Sequence, residues 1–436
     1  MVTPRRTGHA AGGRPADRPG PGSAFVSESA FRASLRLLGT RRFGTFWFAS
    51  LLSNVGTWAQ QVAQPWLMLS LGASSFLLGL DAFAMGAPVL ALTLVGGVLA
   101  DRADRRRVIT VFQSIQMLCP TLIVVLLLAG AVRPWMIIVL SLIVGITDAL
   151  WMPSFQSIVP SIVERRQIPA GIALNSTQFN LSRILGPAVA GLLMAGIGAA
   201  GAFAVSAASY IPFILVALWI LPHGTAARLN GSGFERHALM ASVREIAREP
   251  ALRGGLLTVL ATSLLCAPLV TFCPVLIKQS FQGGIGHFSL TVGAFGAGGL
   301  AGAVALLAVD GRRDRRPISS WFAVGYGAVV ALAALNPWFW GLPVLLAVAG
   351  MAMTVSNASA NALLQSAAPA RIRGQTVALF MLASRGGASL GSLMTGLAVS
   401  TFGVREALLV NGVLAVVAHL AIGRAWLRAD PPSPPA

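Results

Sequence analysis

Twelve apolar stretches of membrane-crossing length, set apart by short polar punctuation, constrain this chain more than any other feature. They run at about 44–70, 76–100, 108–130, 134–158, 171–197, 200–221, 253–278, 288–309, 318–335, 338–364, 374–400 and 405–427. A helix needs about 20 mostly apolar residues to cross about 30 Å of hydrocarbon, and there its backbone must bond to itself. The pattern predicts an all-α membrane protein with twelve transmembrane helices. Only 11% of residues are charged, less than half the share in a soluble chain.

The net charge is +18, which in a soluble protein would suggest nucleic acid. Its placement argues otherwise. Eight Arg lie in residues 1–42, and the rest gather after even-numbered spans. The count is 27 there, against three (Arg133, Lys278, Arg405) in the other connections, with Arg183 and Arg385 inside spans. Positive residues stay on the cytoplasmic side. Both termini are therefore expected in the cytoplasm of a cell (inner) membrane protein that contacts lipid and no nucleic acid. The tail 1–42 has no signal-type apolar core, so it reads as retained. Cys119, Cys266 and Cys273 lie in apolar runs and read as packing residues.

The chain repeats itself. "QSIVP" at 156–160 returns as "QSAAP" at 365–369, and "LADRADRRRVI" after span 2 answers "AVDGRRDRRPI" after span 8, placing Asp101 opposite Asp310. "SRILGP" and "SRGGAS" place Arg183 opposite Arg385. The reading is two pseudo-symmetric six-helix bundles, 43–222 and 253–428. Between them lies a cytoplasmic loop, 223–252, whose piece "ALMASVREIAREP" has the pattern of a surface amphipathic helix. A short tail, 429–436, closes the chain. Paired repeats mark secondary transporters with a site near the midplane.

The loop "GGVLADRADRRR" resembles the signature Gly-x-x-x-Asp-Arg/Lys-x-Gly-Arg-Arg/Lys of the major facilitator superfamily, through Gly97, Asp101, Arg102, Arg105 and Arg106. Asp104 stands where that pattern has Gly. Physically, Gly97 lets a helix approach, and Asp101 among arginines forms a latch that can break and re-form. With "RRFGTFWFASLLSNVGTWAQQVAQPWLML" and "NSTQFNLSRILGPAVAGLL", the chain looks like the branch holding enterobactin exporters and macrolide efflux proteins. That resemblance implies the major facilitator fold, and a central cavity lined by helices 1, 4, 7 and 10. In span 5, Gly186, Pro187 and Gly191 answer the drug/proton antiporter motif in part. Pro187 frees the Arg183 carbonyl, which marks either a tolerated kink or a gating hinge.

Four charges fall inside spans: Asp81, Asp148, Arg183 and Arg385. Each is costly in hydrocarbon, so each should pair or face water. Asp148 and Arg183 sit at similar depth on consecutive spans and are expected to pair, either as a static bond or with Asp148 as a proton-coupling carboxylate. Asp81, near the outer end of span 2, is a second proton candidate or a headgroup contact. Arg385 has no acid in its own half and would bond backbone carbonyls or an anionic group on cargo.

Asn54, Thr57, Gln61 and Gln64 recur at helical spacing in span 1, and Thr354, Asn357, Asn361 and Gln365 repeat the pattern in span 10. Trp58 and Trp151 add aromatic faces. The stripes either hold helices together or line a wet cavity, and the cavity suits the repeat symmetry. The expected activity is secondary transport of a small organic molecule (drug, siderophore or metabolite) by alternating access, outward, in exchange for protons. Two alternatives stay open: a proton-coupled importer, or a non-transporting sensor. No phosphate loop, metal set or nucleophile constellation is visible, so neither cofactor nor enzyme chemistry is expected, and a monomer suffices.

Overall fold

A computed structural model describes residues 36–156, 158–221, 244–246, 248–307, 314–369 and 372–427. The first half holds α1 (Arg41–Ser70), α2 (Ser75–Arg102), α3 (Arg105–Leu128) and α4 (Pro134–Gln156). The stretch Ile168–Ile220 follows and breaks at Gly198, whose φ of 71° is a left-handed value that glycine adopts without strain. Its two parts, 168–197 and 199–220, are α5 and α6. The second half holds α7 (Pro250–Ser280), α8 (Ile285–Leu307), α9 (Arg315–Leu335), α10 (Gly341–Ala367), α11 (Arg373–Phe402) and α12 (Val404–Leu427). Among the described residues, twelve helices are thus of membrane length. Ten stretches are apolar enough to cross by composition; one of these is α5 with α6, and α1, with its amides, falls short of that measure.

Local chemistry sets several ends. Asp104 caps α3, its Oδ1 accepting from the Arg106 amide at 2.9 Å, and Asp314 caps α9 through the Arg316 amide at the same distance. The residue that departs from the signature pattern is therefore a helix cap, repeated in both halves. Inside α7, Thr262–Cys266 forms a π-turn before Pro268, and the Ala267 amide still finds the Thr262 carbonyl at 3.2 Å. Such turns are common at functional points of helices.

The halves meet along two seams, α2 against α11 and α5 against α8. Glycine makes both possible. A Cβ on Gly191 of α5 would lie 2.6 Å from the Ser289 carbonyl oxygen of α8, and one on Gly396 of α11 would lie 2.9 Å from that of Ser75 on α2. These contacts sit at the end of the bundle opposite the arginine-rich loops. There one hydrophobic core runs through both halves, joining Leu67 and Met68 of α1 to Phe272 and Leu276 of α7. At the arginine-rich end the cores are separate: one around Phe46, Phe155 and Phe213, the other around Leu252, Leu364 and Phe380. The halves are closed at the far end and divided at the arginine-rich end.

The amphipathic segment expected at 238–250 is described only in part. Arg244, Glu245 and Ile246 are helical, and Ile246 is buried in the core of the second half. Asp310 lies outside the described residues, as do 1–35 of the N-terminal tail and the whole C-terminal tail.

Candidate functional site

The central cavity grows from α1. Asn54, Thr57, Trp58 and Gln61 face it, with Gln113 and Gln116 of α3, Asp148 and Trp151 of α4, Phe179 of α5, Tyr210 of α6 and Arg385 of α11. Its volume is about 40 Å³, enough for water and too small for a drug-sized solute, whose sites run to about 300–1,000 Å³.

At its centre sits a pair that the sequence reading assigned differently. Asp148 does not meet Arg183. Its Oδ2 accepts from Arg385 Nη1 of the opposite half at 2.8 Å. Its Oδ1 accepts from Gln116 Nε2 at 2.7 Å and Trp151 Nε1 at 3.0 Å. Equal depth on neighbouring helices does not fix direction around the helix axis, and packing turns Asp148 toward the divide between the halves. The missing partner of Arg385 lay across that divide rather than in its own half.

Arg183 points elsewhere. Its guanidinium lies over the Trp58 ring at 5.7 Å, and Nη2 is 3.9 Å from Met353 Sδ of α10. Asp81 is not at the headgroups either. It is buried, its Oδ1 accepting from Ser141 Oγ and its Oδ2 from Gln64 Nε2, each at 2.6 Å. Gln64 thus leaves the cavity and binds α1 to α2 and α4. Ten residues turn a helix about 1,000°, so Gln64 sits about 80° round from Asn54.

The α10 stripe does not line the cavity. Asn361 Oδ1 accepts from Gln365 Nε2 at 3.1 Å, while Asn357 is buried in the second half. Asn357 packs inside its own bundle and Thr354 lies against Gly299 of α8, while Asn361 is half-buried and Gln365 exposed. Pro187 keeps helical backbone, and Gly198 holds the one non-helical backbone in Ile168–Ile220. Gly186 is a contact glycine pressed on Trp58, and Gly191 serves the seam. In the signature loop Gly97, Asp101 and Arg102 lie in the last turns of α2, and Arg105 and Arg106 open α3.

Sequence reasoning missed Gln113, Gln116 and Tyr210. Gln113 and Gln116 stand three apart in a helix otherwise apolar at mid-depth, the same signal used for α1. Tyr210 bonds Thr57 at 2.9 Å, a contact across 153 residues that no local pattern announces.

The family model described as transmembrane secretion effector matches residues 33–431. The chain belongs to that family of major facilitator transporters. It is similar to the staphyloferrin A transporter of Staphylococcus aureus, 23% identical over 84% of this chain and 92% of that one. It is 26% identical to the multidrug efflux pump Tap of Mycolicibacterium fortuitum, over 80% and 87%. The enterobactin exporter EntS of Shigella boydii is 25% identical over 93% and 98%. In structure it resembles an inward-facing, occupied bacterial homologue of the lysosomal transporter Spinster, with a TM-score of 0.68, 15% identity and coverage of 89% and 96%. These likenesses establish a multi-pass major facilitator transporter, not an enzyme.

Proposed function

We propose that this transporter exports an organic solute of the drug or siderophore kind across a bacterial inner membrane, both termini cytoplasmic, in exchange for protons. The names of its relatives support efflux of such solutes. The observation that carries the coupling step is the Asp148–Arg385 bond, which joins the two halves in the cavity wall. With Asp148 ionised, the bond holds α4 to α11. A proton taken up by Asp148 removes the charge that holds Arg385, and the halves part and rock. Loss of that proton on the opposite side restores the bond. Trp58, Trp151 and Phe179 offer apolar faces to cargo, while Asn54, Thr57, Gln61 and Gln116 offer hydrogen bonds. The signature residues Asp101, Arg102, Arg105 and Arg106, at the junction of α2 and α3, serve as the latch in this reading.

The test uses cells lacking their own pumps, a panel of dyes, macrolides and catecholates, and a protonophore. The wild type lowers accumulation of at least one compound, and the protonophore abolishes the effect. Asp148→Asn, expressed to the same level, fails to extrude against a gradient. Full-rate extrusion by that variant removes Asp148 from the coupling step. Energised vesicles of both orientations read the direction of flux directly.

A further inference from the structure

Arg183 and Arg385 both carry a guanidinium to the middle of the helix bundle, and a carboxylate meets only the second of them. Among the described acidic residues, only Asp81 and Asp148 lie inside membrane helices away from their ends. Asp148 takes Arg385. Asp81, toward the far end of the bundle, is closed off by Ser141 and Gln64. Arg183 is left with a sulfur contact to Met353 and the face of Trp58. A guanidinium carries five N–H donors in a planar fork, and among the described residues no carboxylate answers this one. The centre of the bundle, two arginines against one aspartate, carries a net positive charge.

Position matters as much as charge. Trp58 lines the cavity, and Arg183 lies on its ring, half-buried rather than sealed. It touches α1 of one half and α10 of the other. The α5 residues after it, Ile184 and Ala188, pack on Gly296 of α8 along the seam. A group bound there would touch both moving parts. An ionisable residue inside a membrane bundle, away from lipid and without a partner, marks a path for something charged.

We propose that Arg183 receives a carboxylate on the cargo, so that the transported class is carboxylate-bearing amphiphiles, in preference to neutral or cationic solutes. The fork of Arg183 matches a carboxylate in two-point geometry. The nearby aromatic faces of Trp58 and Phe179, whose rings lie 6.3 Å apart, suit the apolar body. This inference rests on the transport reading above.

The experiment uses the full chain in proteoliposomes with an imposed proton gradient. The probes are matched pairs: fusidate and its methyl ester, 2,3-dihydroxybenzoylserine and its methyl ester, and a macrolide as neutral control. One acid is moved about ten- to a hundredfold better than its ester, the range of one charge-assisted hydrogen-bond set. Arg183→Gln brings the acid-to-ester ratio near one. Arg183→Met repeats the test with a side chain that the bilayer tolerates, and gel filtration checks both for folding. Equal handling of acid and ester by the wild type overturns the inference, as does an unchanged ratio in both neutral variants, and either leaves transport itself standing. No flux of any probe in the wild type sinks the transport reading and this inference with it.

Discussion

Breaking the Asp148–Arg385 bond should change how much time the halves spend in the arrangement seen here. The two atoms are 2.8 Å apart, and the side chains are 17% (Asp148) and 30% (Arg385) exposed. Fully exposed ion pairs contribute about 0.2–1 kcal/mol. Removing one partner of a fully buried pair costs about 3–5 kcal/mol. Partial exposure places this bond between them, at about 2 kcal/mol, or about thirtyfold in an equilibrium constant. Asp148→Asn keeps an acceptor for Gln116 and Trp151, so the loss falls mainly on the link between halves. Arg385→Gln removes the other partner, and the double variant closes a thermodynamic cycle. The readout is the distance between spin labels at Ser161 and Ser366, both exposed near the arginine-rich end. The three native cysteines are buried, so they compete little for label. Each single variant should shift the distance populations by about thirtyfold, and the double variant should shift them no further than one single. Unchanged distributions, or effects that add in full, refute the claim that this bond holds the halves together.

Other outcomes follow from the same geometry. Gln64→Leu leaves the buried Asp81 and Ser141 short of a donor, and should cost about 1–3 kcal/mol in thermal stability in detergent. Gly191→Val forces α5 off the Ser289 carbonyl of α8, and should make the buried Cys273 of the far-end core reactive to an impermeant maleimide. Asp104→Ala and Asp314→Ala each remove a helix cap, at about 0.5–2 kcal/mol apiece, read by thermal unfolding. At Asp314 burial pushes the carboxyl up, but the bonds from Arg316 outweigh it and hold it below the ordinary carboxylate range. A depressed carboxyl stabilises above its unfolded pKa, about 3.9, and that stability drains away as pH falls below it. The pH dependence of unfolding between about 5 and 2 should accordingly flatten in Asp314→Ala.

The sequence alone determined the spans, their number and the doubled architecture, because the bilayer acts on each helix separately. Twenty apolar residues must cross whatever their neighbours are, and loop arginines keep to one side. The polar face of α1 was legible in the same way, since Asn54, Thr57 and Gln61 stand on one helix. Which charges meet was decided only by tertiary structure. Depth is a property of one helix and can be read along the chain. Direction around the axis depends on how neighbouring helices pack, and small residues at the seams set that. So Asp148, matched by depth to Arg183, instead bonds Arg385 across 237 residues. Gln64 turns from cavity to glue for Asp81, and Arg183 is left as a cation on the ring of Trp58.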